Sequence, residues 1–196
     1  MSLAELPIRE ADSSPAVMGL LQELGILANE SMSVTTTLFM ALDAIGRHTG
    51  WPLGRIIGRD EQRLDGEVEI FWYNRLVYPA EPCNNLWPQV LSARVAVGEG
   101  RPVIVEELVD EPAVACDCDP PLRGYVAFPI QIGNNWAAFM EFVSNEPMRV
   151  PPALHQVLGH AAAVLGLVVE RGRAQASLRE SERRFRAIFD QSFQFI

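Results

Sequence analysis

From Pro151 to about Gln191 the sequence keeps one helical pattern, roughly 40 residues long, where the mean globular helix has about 11–12. At heptad spacing its seam runs Leu154, Val157, Ala161, Val164, Val168, Arg171, Gln175, Leu178, Glu182, Phe185 and Phe189. The inner half of that seam is apolar, and Arg171, Gln175 and Glu182 then interrupt it. A narrow stripe on so long a helix is hard to stabilise alone, and a coiled coil with a second copy is the natural partner. The competing reading is a single helix whose first half packs on its own domain.

Upstream the periods are shorter. Val17, Leu20, Leu21, Leu24, Leu27 and Ala28 recur at helical spacing from Pro15. A second helix, capped by Ser33, carries Val34, Leu38, Ala41, Leu42 and Ile45 on one face and stops at Gly50 and Pro52. Past Pro52 the chain turns β-branched and aromatic. "LGRIIGRD", "EVEIFWYN", "RPVIVEEL", "GYVAFPIQI" and "WAAFMEFVS" read as strands, the last two joined through "GNN", a hairpin signal. A short helix is expected around Asn84–Ala93, and "VDEPAVACDCDPP" reads as a loop. Val126, Phe128 and Ile130 alternate with Tyr125 and Ala127, so both faces of the sheet are expected to be covered. The class is α+β, with a mostly antiparallel sheet of five to six strands, helices on both faces and a long C-terminal helix.

Composition narrows the function. The formal net charge is −9, which opposes a general affinity for nucleic acid. All 16 basic residues are arginine, so neither a Schiff-base lysine nor a phosphate-loop lysine exists. No run approaches the roughly 18 apolar residues of a membrane span, and the N-terminus lacks the pattern of a signal peptide. Cys83, Cys116 and Cys118 make an odd count that suits a reducing compartment. The expected location is the cytoplasm.

"HTGWPLGRI" (His48–Ile56), "RVAVGEGRPVIVEEL" (Arg94–Leu108), "AFPIQIGNNWAAFMEFVS" (Ala127–Ser144) and the exit into "SLRESERRFRAIFDQS" resemble, in that order, a GAF domain of bacterial signalling proteins. The terminal "ESERRFRAIFDQS" is similar to the opening helix of a PAS domain. The resemblance implies a disordered stretch over 1–14, a GAF domain over 15–171, a linker helix over 172–184 and the start of a truncated PAS domain over 185–196. It further implies a sensory or dimerisation module, with a histidine kinase or a diguanylate cyclase as the common output. The chain departs from its relatives at "VLSA" (Val90–Ala93), where many carry a Gly-Leu-Pro-Gly turn. It also lacks the cyclic-nucleotide signature, and no cysteine is followed by the histidine of bilin attachment.

Several residues invite chemistry. Glu141 is the sole ionisable residue in "WAAFMEFV"; its burial demands a partner such as Arg94 or Arg47, or else it faces a ligand cavity. Trp72, Trp87, Arg94, Tyr125 and Phe128 complete the candidate wall of a small-molecule pocket, which the resemblance places between the sheet and its loops. The ligand itself stays open. His155 and His160, five apart, fall about 140° from one another on a helix and do not converge on a metal. His48 reads as a satisfied, half-buried histidine. Cys116 and Cys118 lie among Asp110, Glu111, Asp117 and Asp119. Those carboxylates would raise a thiol's pKa and blunt it, although one enzymatic branch of GAF-like proteins reduces free methionine sulfoxide with loop cysteines. The leading expectation is a non-catalytic homodimeric module without metal; a thiol enzyme and a ligand-free scaffold are the alternatives.

Overall fold

A computed structural model describes residues 14–30, 33–59, 67–73, 100–107 and 123–193 of the chain. Two helices open it, α1 (Ser14–Asn29) and α2 (Val34–Thr49), followed by strands β1 (Leu53–Arg59), β2 (Glu67–Tyr73), β3 (Val103–Val105), β4 (Gly124–Ile132) and β5 (Asn135–Ser144). A single helix, α3 (Pro152–Phe193), closes it.

The ends of α2 follow from local chemistry. Ser33 Oγ accepts from the Thr36 amide at 3.1 Å, satisfying one of the amides that a first turn leaves over. At the other end Gly50, at φ 76°, donates to the Gly46 carbonyl, a left-handed cap that costs glycine nothing.

The five strands lie in the order β2-β1-β5-β4-β3, and every pairing among them is antiparallel. Gly133, at φ 58°, fits the first position of the two-residue turn between β4 and β5, the geometry that keeps flanking strands from splaying. The last strand in sequence is therefore the middle strand of the sheet.

The described helices all pack on one face. Leu20 and Leu24 of α1, Leu38, Leu42 and Ile45 of α2, and Leu154, Leu158, Ala161 and Leu165 of α3 close over Ile56, Val126, Phe128, Met140 and Phe142. The helix expected around Asn84–Ala93, which would have supplied the other face, lies outside the described residues. Yet that other face is buried too: Leu53, Tyr125, Ala127, Phe139 and Val143 are at most 4% exposed, as the two-sided apolar alternation implies.

One expectation is corrected. Leu154, Val157, Ala161 and Val168, the apolar half of the anticipated coiled-coil seam, are buried in the domain's own core. A two-in-seven stripe fits a neighbouring sheet as readily as a second chain, and here the sheet takes it. Beyond Gly172 the helix projects, and Leu178, Phe185 and Ile188 are 62%, 69% and 66% exposed. By length and composition the segment Pro152–Ile188 could cross a bilayer. Its inner half is instead a core helix against β4 and α1.

Candidate functional site

On the face turned away from the helices, strand alternation sets out rows of side chains across the sheet. One row runs through Arg55 of β1, Glu141 of β5 and Ala127 of β4, because Arg55 pairs with Glu141 and Glu141 with Ala127. In the next row Tyr125 of β4 pairs with Val143 of β5, which makes it the diagonal neighbour of Glu141. Direct cross-strand partners stand about 5 Å apart and diagonal ones about 7–8 Å, within reach of an arginine and a tyrosine. The register alone thus gathers three polar groups in an otherwise apolar layer.

They are joined tightly. Arg55 Nε donates to Glu141 Oε2 at 2.6 Å, and the Tyr125 hydroxyl donates to Glu141 Oε1 at 2.6 Å. The Glu141 side chain is fully buried and that of Arg55 is 7% exposed. A carboxylate taken out of water loses several kcal/mol of hydration. Here each of its oxygens receives a hydrogen bond, and both bonds are charge-assisted, the stronger kind. Ala127, directly opposite Glu141 on the other side, adds only a methyl group to the row. The cluster can orient a polar ligand group; among the described residues it contains no thiol, serine or histidine to act as a nucleophile or its base.

Of the residues singled out from sequence, the structure brings Tyr125 and Glu141 together. Phe128 lies on the opposite face, buried under α3, with its ring 5.6 Å from that of His155. Trp72 pairs with Gly54, and Gly54 pairs with Phe142, so position 72 falls in the row of Phe142 and not in that of Glu141. Trp87 and Arg94 lie outside the described residues. Among the described residues Glu141 has the arginine partner that its burial demands in Arg55, and not in Arg47. Arg47 reaches Glu23 at 2.7 Å and Asp43 at 2.8 Å, and those carboxylates, Asp43 first, hold its guanidinium above the ordinary value. Arg55 was missed. The signal was present: it is the lone charge between Leu53 and Ile57 in a strand, the same argument that drew attention to Glu141.

His48 is half-buried and satisfied, with Nδ1 at 2.9 Å from the Ala44 carbonyl. No group of three or more metal-ligating side chains occurs among the described residues. Cys83, Cys116 and Cys118 lie outside them.

Compared by sequence, the chain matches no protein-family profile and no curated protein. Compared by structure it is similar to many solved chains. The GAF domain of a phosphoenolpyruvate-protein phosphotransferase from Coxiella burnetii superposes with a TM-score of 0.65 at 12% identity, over 86% of this chain and 99% of that one. A free methionine-R-sulfoxide reductase from Neisseria meningitidis, solved with its substrate, gives 0.61 at 17% identity, over 83% and 95%. The GAF domain of a putative sensor histidine kinase from Pseudomonas syringae pv. tomato gives 0.59 at 15% identity, over 88% and 97%. At such identities the likeness is one of fold: the chain has the fold of GAF domains.

Proposed function

We propose that this chain is a non-catalytic regulatory GAF module of a bacterial signalling protein. It dimerises through its terminal helices and passes ligand or packing state to a downstream output domain, with 172–184 as the linker and 185–196 as the opening of a PAS domain. The observation that carries this reading is the division of α3. One unbroken helix has its inner half in the domain core and its outer half exposed, with Leu178, Phe185 and Ile188 outward. A rigid rod fixed to the sheet at one end and open to a second copy at the other is a two-state element that both ends can bias. The input side is the buried face carrying Tyr125, Glu141 and Arg55, with Trp87 and Arg94 as further candidates for the ligand site; Trp72 and Phe128 fall in rows of the opposite face.

Native mass spectrometry tests this directly. The expected result is a dimer that becomes a monomer in the Leu178→Glu, Phe185→Glu double variant while circular dichroism keeps the folded signal. A monomeric native chain, or a variant that stays dimeric, would overturn the helix-mediated reading. A reproducible non-covalent adduct would establish a ligand and give its mass. A dimer with no adduct favours the ligand-free scaffold.

The likeness to a substrate-bound free methionine-R-sulfoxide reductase supports a second reading, a thiol enzyme using Cys116, Cys118 and Cys83. It predicts thiol-dependent reduction of free methionine-R-sulfoxide that Cys118→Ala abolishes. No turnover by the native chain would end it.

A further inference from the structure

The long helix leaves the domain at one point, where the adjoining ends of α1 and α2 meet it. Arg171 donates from Nη2 to the Ala28 carbonyl at 3.0 Å. Ala28 lies in the last turn of α1, and that turn has no basic residue of its own. Last-turn carbonyls lack helical partners and sit at the negative end of the helix dipole, so a cation is favoured there. Arg171 supplies it from 143 residues away.

The next residue, Gly172, touches the start of α2. A Cβ at this position would stand 2.2 Å from Val34 Cγ2, far inside van der Waals contact. With any side chain at this position, either Val34 must turn away or α3 must move off α2. Glycine is also the poorest helix former after proline, and of the helix's glycines Gly159, Gly166 and Gly172 it is Gly172 that stands beside Arg171 at the start of the exposed half. Arg171, which the heptad pattern assigns to the seam, is turned to another use.

We propose that Arg171 and Gly172 form a joint, at which the ends of α1 and α2 set the direction of the outer half of α3. This rests on the relay reading of the module and names where the relay is coupled. Residues 173–193 lie beyond the joint, a lever of about 31 Å at 1.5 Å per residue, so a tilt of about 10° moves its far end by about 5 Å. Displacing α1 against α3, or releasing Arg171 from Ala28, therefore swings the segment that would reach an output domain.

Electron–electron distance measurement on the whole chain tests the joint. Nitroxides on a ketone-bearing amino acid at Gln22 of α1 and Ala187 of α3, both exposed, leave the native cysteines untouched. Dilution with unlabelled chain restricts the reading to distances within one copy. Arg171→Met is expected to broaden the distance distribution by several ångströms, and Arg171→Lys, which keeps a donor, to restore much of its width. Gly172→Ala is expected to shift the mean, and adding Val34→Ala, which removes the obstructing methyl groups, to bring it back. If Arg171→Met and Gly172→Ala both reproduce the native distribution, there is no joint. The outcome is separable from that of the relay: a monomer whose distances respond keeps the joint and loses the relay, and a dimer whose distances do not respond does the reverse.

Discussion

Replacing Glu141 by alanine removes the group that two buried donors share. Arg55, 7% exposed, loses the carboxylate 2.6 Å from its Nε, and the Tyr125 hydroxyl loses the acceptor at 2.6 Å. Breaking a buried ion pair from one side costs about 3–5 kcal/mol, because the remaining charge stays out of water. A buried hydroxyl deprived of its partner costs about 1–3 kcal/mol, not strictly additive with the first. A combined loss of about 4 kcal/mol is a large share of the 5–15 kcal/mol that holds a typical domain. At a urea dependence of about 2 kcal/mol per molar, the unfolding midpoint falls by about 2 M. The informative comparison is the triple variant Arg55→Met, Glu141→Leu, Tyr125→Phe, which replaces the three described members of the cluster by apolar groups of similar size. Burial of such groups roughly balances what the cluster contributes, so the triple variant is expected within about 1 kcal/mol of the native chain or above it. Urea unfolding followed by circular dichroism reads all of them, and a double-mutant cycle isolates the Arg55–Glu141 coupling. Two results would refute the reasoning: a midpoint shift below about 0.5 M for Glu141→Ala, or a triple variant as unstable as the single one.

Gly166 sets a test of sign. Glycine to alanine in an exposed helix stabilises by up to about 1 kcal/mol, but here the new Cβ would stand 2.1 Å from the Gln131 backbone oxygen. Gly166→Ala is therefore expected to destabilise by about 1–3 kcal/mol through overpacking, read by the same urea titration. Ser33→Ala removes the cap of α2 and should cost about 1 kcal/mol, seen as a drop in melting temperature. At Gly124 an added Cβ would meet the Met148 backbone nitrogen at 2.8 Å, so Gly124→Ala should lower the melting temperature as well, and pairing it with Met148→Ala should recover little.

Both short helices and all five described strands stood out in the sequence, because each is marked by its own period and its own punctuation. Ser33 and Gly50 bound α2, and "GNN" marks the β4–β5 turn, since such signals act over three or four residues. Partnership across the sheet is a different kind of fact. Glu141 announced that it needed a cation, yet Arg55 lies 86 residues away, and only the placing of β5 beside β1 makes the two neighbours. Local pattern likewise could not say what the stripe from Leu154 to Val168 faces, because a sheet and a second helix present the same apolar demand. Trp72 and Phe128 share with Tyr125 and Glu141 only a place among pocket candidates, and register separates them, since one step along a strand exchanges faces.

The strand order also dictates when the fold can exist during synthesis. β1 and β2 can pair as soon as they emerge, and β3 and β4 can do the same later. Neither pair touches the other in the finished sheet except through β5, which lies between β1 and β4. Until Asn135–Ser144 has left the ribosome, the nascent chain holds two separate ribbons with open inner edges, each a template for unwanted pairing. Inserting β5 closes both edges in one step, and the carboxylate that Arg55 and Tyr125 await arrives on that same strand.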